Sequence, residues 1–517
     1  MTAIERSRTV AVVGAGTMGQ GIAQVALLAG HPVRLFDVDA GRTTAADASV
    51  RSRVERLVEK GKLARADADA ALERLHPAHD LRDLSGAALV VEAIVERLEV
   101  KQQVFRSLEE LVSPDCLLAT NTSSLSVTAV AGALKHPGRF VGMHFFNPAP
   151  LLPLVEVVSG FATDADAATR AYDTALAWGK TPVRCADTPG FLVNRIARPF
   201  YAEAFAVYEE QAADPATIDA VLRESGGFRM GPFELTDLIG QDVNEAVSRS
   251  VWEAFHQSPK FVPALPQRRL VESGRLGRKS GHGWFPYGEN GAGPAPHTAP
   301  PARPPARVTV AGGFGPAAEV LAMLRETDGI EVTELASGGP YIGLPGGGQL
   351  APVDGHTSVE YDDVVYFDLA LDYRAATRIA LAASDDVSEE TLNEAIGLFQ
   401  ALGKDVSVIG DVPGMIVART VAMLVDLALD AVAKGVASAG DIDTAMRLGV
   451  NYPRGPLEWG RELTADWTFD LLTAMHQRCP TGRYAPSLAH YRQGYADQAS
   501  ASEDAGRADA AAQESTG

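Results

Sequence analysis

The sequence predicts an α/β protein: a parallel sheet wrapped by helices, then an all-helical domain, then a degenerate second version of both. Three observations carry this. Short apolar runs alternate with helix-length segments through the first 186 residues, the pattern of a parallel sheet with crossover helices. Gly14, Gly16 and Gly19 follow the first of those runs directly in the spacing G-x-G-x-x-G. GKTPVRCADTPGFLVNR, from Gly179 to Arg195, matches GKDVSVIGDVPGMIVAR, from Gly403 to Arg419, at a constant offset of 224.

Taken in order, Val10 to Val13 is the first strand. Gly14 permits a tight turn, Gly16 lets backbone approach a pyrophosphate, and Gly19 lets strand and helix pack closely. The helix from Met18 to Leu28 runs on to Gly30, and its N-terminus offers unpaired N–H groups to an anion. VRLFD then ends in Asp37, about 20 positions past the glycines, where a carboxylate suits the ribose hydroxyls of NAD and repels the extra phosphate of NADP. This reads as an N-terminal Rossmann-type NAD-binding domain over residues 1–186.

Within it, the polar helical stretch from Gly41 to Leu75 sets Arg42, Arg51, Arg53, Arg56, Lys60, Lys62 and Arg65 against Asp47, Glu55 and Glu59. It reads either as a solvated face or as a cradle for the remote part of an anionic substrate. ALVVEAIVE (Ala88 to Glu96), LLATNTSSLS (Leu117 to Ser126), FVGMHFFNP (Phe140 to Pro148) and LVEVVSG (Leu154 to Gly160) are further strands. Polar residues lie just beyond their carboxyl ends, where open α/β sheets place ligands.

Residues 187–287 read as a helical domain that opens on TPGFLVNRIARPFYAEAFAVYEE as one long helix. Seven prolines in the 22 residues from Pro286 to Arg307 predict a linker over 288–306, extended and unpacked. RVTVAGGFGPAAEVLAML begins a degenerate Rossmann-like domain over 307–410, and 411–495 repeats the helical domain from 187–271. GPFE at Gly231 recurs as GPLE at Gly455. The tail 496–517 has no Ile, Leu, Val or Phe and is expected to be disordered.

A net charge of −20 argues against nucleic acid and anionic membranes as partners. Cys116, Cys185 and Cys479 are too far apart for a disulfide framework or a metal motif, so no metal is expected and a reducing compartment fits. No apolar run has bilayer length, and the opening residues lack the apolar core of a signal peptide. The expectation is a cytoplasmic protein.

NTSSLS, GMHFFNP, LVEVV, DTPGFLVNR, GPFEL and GRKSGHGW, in this order and spacing, resemble the L-3-hydroxyacyl-CoA dehydrogenases over residues 7–287, and the repeat extends the resemblance to about 490. The layout is similar to the long bacterial members that act on 3-hydroxybutyryl-CoA or 3-hydroxyadipyl-CoA, including those of phenylacetate degradation. The resemblance implies oxidation of a C3 hydroxyl, with hydride passing to NAD and the proton to a base. By motif, His144 is the base, its residue type well suited to proton transfer near neutrality, and Glu156 is its carboxylate partner. Ser123 and Asn194 hold the reacting oxygen, and Asn194 is assigned to the helical domain, which puts the site in an interdomain cleft. The implied cofactor contacts are Gly14, Gly16, Thr17, Met18, Gly19, Asp37, Glu92, Glu96, Lys101, Asn121, Ser123, Asn147 and Lys279. Lys60 is an implied contact to CoA, while Arg53 departs from the small polar residue of some members.

The implied partner is an acyl-CoA, and a homo-oligomer is left open. The competing class is a crystallin-like protein of the same fold that binds NAD(H) without catalysis. All four catalytic positions being filled argues against it, and Asp37 argues against an NADPH-dependent reductase. The second half is expected to have no active site. The offset sets Asp368 opposite His144, Ala380 opposite Glu156 and Ala418 opposite Asn194, while Gly312, Gly313 and Gly315 keep a turn without cofactor contacts. The apolar helix from Val417 to Ala433 is expected to pack on the first helical domain, in place of the dimer contact of shorter members.

Overall fold

A computed structural model describes residues 2–288 and 293–496; the tail expected to be disordered lies outside them from residue 497 onward. The chain divides into two compact units, Met1–Arg195 with Lys434–Val450, and Ile196–Ala433 with Asn451–Gly517.

The first unit is built on an eight-stranded sheet. Its strands are β1 (Thr9–Val13), β2 (Val33–Phe36), β3 (Leu75–Pro77), β4 (Ala87–Glu92), β5 (Leu117–Thr120), β6 (Phe140–Phe145), β7 (Leu154–Ser159) and β8 (Thr181–Ala186). They lie in the order β3-β2-β1-β4-β5-β6-β7-β8, so the direction of winding reverses at β1. All neighbours are parallel except β6 and β7, which run antiparallel and set His144 directly opposite Glu156. The central strands are apolar because both faces are covered: Val10, Val12, Leu89, Val91, Met143 and Val155 share one core with Ile22 and Val25 of α1 (Thr17–Leu28). The basic stretch forms α2 (Ala40–Glu59), capped by the Asp39 carboxylate on the N–H groups of Gly41 and Arg42, and a separate short helix, Arg65–Leu72.

One helix of the second repeat belongs to this first unit. Ala439–Gly449 lies beside β7 and β8, and the Ala186 N–H donates to the Val436 carbonyl just before that helix at 2.8 Å. A side chain at Gly449 would collide with Leu154 and Val193, so glycine permits the close approach. Residues 434–450 of the second repeat thus group with the first sheet.

The second unit holds a seven-stranded mixed sheet. In spatial order its strands are Glu331–Glu334, Arg307–Ala311, Tyr341–Gly343, Gln349–Pro352, Val364–Phe367, Arg378–Ala382 and Asp405–Ile409. Three of its joints are antiparallel, so the alternating pattern of the first half has been lost with the missing crossover helices.

The predicted linker is extended but not unpacked. The Ala299 N–H donates to the Val406 carbonyl at 2.8 Å, Ala302 N–H to Gln400 Oε1 at 2.8 Å, and a side chain at Gly397 would strike the Arg303 carbonyl. Proline composition sets an extended backbone, while these contacts fasten it along the second sheet as a strap.

The long helix predicted after Pro189 is also corrected. It breaks into Val193–Ile196 and Arg198–Glu209. Pro199 has no N–H to continue the ladder. In the repeat its place is taken by Met423, and Val417–Ala433 runs unbroken. These two helices pack within the second unit, where Arg419, fully buried, pairs with Glu210 at 2.8 Å and lies 3.9 Å from buried Glu203. No helix among the described residues is long and apolar enough to cross a membrane.

Candidate active site

The carboxyl end of β1 sets the first part of the site. Gly14 has φ +108°, and a Cβ there would lie 2.4 Å from the Ala93 carbonyl oxygen. A Cβ on Gly19 would lie 1.8 Å from the Gly14 oxygen. Gly16 is different: nothing lies within 4 Å of where its Cβ would be. Gly16 also caps α1 without a side-chain hydrogen bond, so the first-turn N–H groups are open to an anion. Asp37, just past β2, accepts the Ala15 N–H on Oδ2 at 2.9 Å and the Asp39 N–H on Oδ1 at 3.1 Å. A tight turn, an open cradle at Gly16 and a carboxylate fixed beside it fit the pyrophosphate and ribose of a dinucleotide.

Beside this turn lies a cavity of about 390 Å³. Its walls bring together Met18, Glu96, Lys101, Asn121, Ser123, His144, Asn147 and Asn194 from the residues predicted by sequence, and add Ala93, Ile94, Phe145 and Phe146. Asn194 lines this cavity with His144, and both lie in the first compact unit.

His144 is 6% exposed, and its Nδ1 lies 2.6 Å from Glu156 Oε2. Glu156 is fully buried, and its other oxygen, Oε1, accepts the N–H groups of Leu192 at 3.1 Å and Val193 at 2.9 Å. Phe146 and Phe191 pack on the imidazole at ring distances of 4.5 and 5.8 Å. The ring is therefore held by a carboxylate on one nitrogen and by aromatic walls on its faces. Nε2 is the nitrogen left for a reacting proton. Sequence reasoning missed the Leu192 and Val193 N–H groups, because backbone donors leave no residue-type signal.

A buried polar web supports the Ser123 loop. Glu92, expected among the cofactor contacts, is instead fully buried. Its oxygens accept from Ile94 N–H at 2.7 Å, Lys101 Nζ at 2.6 Å and Thr120 Oγ1 at 2.7 Å. Lys101, 1% exposed, also reaches Glu96 Oε2 at 3.1 Å. Glu96 Oε1 then accepts the N–H groups of Ser123 at 2.9 Å and Ser124 at 3.2 Å, together with the Thr122 hydroxyl. Burial pushes the Glu96 carboxyl up, but Lys101, Thr122 and the Ser123 N–H outweigh it and hold the group below the ordinary glutamate range. A depressed carboxylate stabilises the fold above its unfolded pKa and loses that contribution as pH falls through the folded value. Glu96→Gln should therefore lower thermal stability at neutral pH by about 1 kcal/mol. Melting curves of the two proteins should converge as pH is lowered below about 4; a gap that persists in acid would contradict this.

The basic helix resolves into two groups. Arg42, Arg51 and Arg65 pair with Asp39, Asp47 and Glu55, as on any solvated face. Arg53, Arg56 and Lys60 have no ion pair among the described residues and line one cleft of about 320 Å³ with Thr17, Asn147 and Leu151. Arg53 Nη2 is steadied by Gln20 Oε1 at 2.8 Å. The sequence places all three in its basic cluster, but the resemblance gives only Lys60 as a CoA contact; the i, i+3, i+7 spacing of Arg53, Arg56 and Lys60 is the signal that sets them together.

Lys279 lies in the second unit, where it pairs with Asp242. Among the described residues no group of three His, Cys, Asp or Glu side chains could hold a metal. In the second half the counterparts of His144, Glu156 and Asn194 are Asp368, Ala380 and Ala418. The Asp368 N–H donates to the Ala380 carbonyl at 3.0 Å, so that pair faces across strands as His144 faces Glu156. Gly312 follows its strand as Gly14 follows β1, and a Cβ there would likewise meet backbone, 2.6 Å away at Gly339. Equilibrium titration should find one NADH per chain; two would contradict a single site.

Family models match the chain in four segments. The family model described as "3-hydroxyacyl-CoA dehydrogenase, NAD binding domain" matches residues 9–188. The C-terminal domain model of that family matches twice, at 190–287 and 414–507. "3-hydroxybutyryl-CoA dehydrogenase reduced Rossmann-fold domain" matches 350–413. The chain is 45% identical to the 3-hydroxyadipyl-CoA dehydrogenase of Escherichia coli K12 over 93% of its own length and 96% of that protein's. It is 41% identical to a probable 3-hydroxybutyryl-CoA dehydrogenase of Deinococcus radiodurans, covering 53% of this chain and 99% of that one. A crystal structure of an Escherichia coli 3-hydroxybutyryl-CoA dehydrogenase superposes with a TM-score of 0.87 at 42% identity, covering 95% of this chain and 99% of that one.

Proposed function

This chain belongs to the 3-hydroxyacyl-CoA dehydrogenase family, and we propose that the cavity around His144 oxidises the C3 hydroxyl of an L-3-hydroxyacyl-CoA whose acyl part is short or dicarboxylic. The single observation that carries the reading is the His144–Glu156 pair, at 2.6 Å, opening on a cavity that also holds Ser123 and Asn194 beside the glycine turn. NAD, when bound, supplies the hydride acceptor. The chain's own residues do the rest. Ser123 and Asn194 hold the C3 oxygen. His144 Nε2 removes the hydroxyl proton as hydride leaves C3. Glu156 then faces an imidazolium through Nδ1 and stabilises the charge that forms. In the reverse direction the same imidazolium returns the proton to the ketone oxygen.

The cleft of Arg53, Arg56 and Lys60 supplies three cations for the phosphates of CoA. It is bounded by Asn147, which also lines the catalytic cavity, so the two spaces share a wall within the first unit. We read the enzyme as cytoplasmic, acting on free acyl-CoA.

The test is NADH formation by the purified chain with L-3-hydroxybutyryl-CoA and with 3-hydroxyadipyl-CoA. Turnover of either supports the reaction, and the ratio of kcat/KM assigns the acyl chain. No NADH from either, or from longer homologues, would overturn it. NAD should be preferred strongly over NADP, because the fixed Asp37 carboxylate would face the 2′-phosphate. Asp37→Ala should narrow the preference, while equal kcat/KM with both cofactors in the unmodified enzyme would remove Asp37 from this role.

A further inference from the structure

Glu156 gives its two oxygens to different partners. Oε2 meets His144 Nδ1, while Oε1 accepts the N–H groups of Leu192 and Val193. Those N–H groups open the short helix Val193–Ile196, which carries Asn194. The turn before it is left-handed, with Gly190 at φ +74° and Phe191 at φ +49°. A non-glycine residue in that region is strained and persists only when its surroundings hold it.

The second copy shows the same turn without the chemistry. Gly414 has φ +72° and Met415 φ +49°. The Ile416 and Val417 N–H groups donate to Asp368 Oδ2 at 3.0 and 2.8 Å, and Ala418 N–H to Oδ1 at 3.1 Å. Asp368 is fully buried and stands at the place of His144, across from Ala380 at the place of Glu156. In both copies a buried carboxylate meets this turn, from opposite partners of the antiparallel strand pair. The common element is the bond from carboxylate to turn; the histidine is what the first copy adds to it.

We infer that Glu156 is the positioning residue for Asn194 as well as the partner of His144, so that base and oxygen-holding amide are set by one side chain. The inference rests on the reading that Asn194 holds the substrate oxygen. It differs from a role confined to the dyad in what happens when the base is gone.

The experiment uses the full chain carrying His144→Gln and measures, by calorimetry, binding of acetoacetyl-CoA in the presence of NAD, a pair that cannot react together. Asn194→Ala is expected to weaken binding about tenfold, the loss of one hydrogen bond. Glu156→Met, similar in length but without an acceptor, should weaken it by a similar factor, and should add nothing in the Asn194→Ala background. Glu156→Gln should bind like its parent, because its side-chain oxygen still accepts both N–H groups. With His144 intact, Glu156→Met should lower kcat and raise KM together. Binding unchanged by Glu156→Met, or an equal loss with and without Asn194, overturns the inference while leaving the role of Asn194 standing. Binding unchanged by Asn194→Ala overturns that role itself. Should Glu156→Met not fold, Glu156→Asp decides: its carboxylate, drawn back by one methylene, should weaken binding at least about threefold in a manner that depends on Asn194, and unchanged binding overturns the inference.

Discussion

His144→Gln should lower kcat by at least about a hundredfold, the scale of positioned general acid–base catalysis, with KM changed little. The argument is geometric. The ring is 6% exposed, its Nδ1 is taken by Glu156 at 2.6 Å, and Phe146 and Phe191 cover its faces. Only Nε2 is left to exchange a proton with substrate. Glutamine fills similar space and still hydrogen-bonds, but it cannot accept the hydroxyl proton at neutral pH, so binding survives and the chemical step does not. Glu156→Gln should also slow oxidation, because the imidazolium loses its counter-charge. Steady-state rates of NADH formation check both, and near-normal turnover in either variant would remove that residue from the role given to it here.

How much of this site was legible in the sequence depends on the range of the interaction concerned. The glycine turn was legible because the three glycines fall in one short strand–turn–helix unit: Gly19 is required by Gly14 within it, and Gly14 by the backbone at Ala93, at the end of the neighbouring strand β4. The offset of 224 was legible too: it aligned Asp368 with His144 and Ala380 with Glu156, and the structure sets Asp368 against Ala380 across two strands. Glu92 was not. Like Asp37, it is a carboxylate at the end of a strand, and only the position of Lys101, one strand-to-helix turn further on, decides that it faces inward. The linker failed for a similar reason. Its prolines fix an extended backbone wherever it lies, but whether it packs depends on Val406, Gln400 and Gly397, about a hundred residues away. The helix break at Pro199 could have been read, since a proline within a helical pattern ends or kinks the helix at the residue before it. The joining of Lys434–Val450 to the first unit had no local signal, because its hydrogen bond to Ala186 spans 250 residues.

The glycines also allow cofactor binding to be separated from folding. Gly16→Ala should leave the melting temperature nearly unchanged, because Gly16 has φ −71° and ψ −176°, which alanine adopts without strain, and nothing lies within 4 Å of the added methyl. The same methyl stands where a pyrophosphate must approach the first turn of α1. Displacing that anion removes charge-assisted hydrogen bonds worth about 1.5–3 kcal/mol, so NADH affinity should fall roughly tenfold to a hundredfold. Gly19→Ala should do the reverse in order of cause. Its methyl would lie 1.8 Å from the Gly14 carbonyl oxygen, a backbone atom with no rotamer to move, and the strand and α1 must separate to admit it. Overpacking of this kind costs about 1–3 kcal/mol or more, so the melting temperature should fall first and NADH binding with it. Calorimetric melting and NADH titration of the two variants decide the matter. A Gly16→Ala protein that binds NADH like the parent would show that the open cradle at the head of α1 is not where the pyrophosphate sits. A Gly19→Ala protein as stable as the parent would show that this strand–helix contact yields without cost.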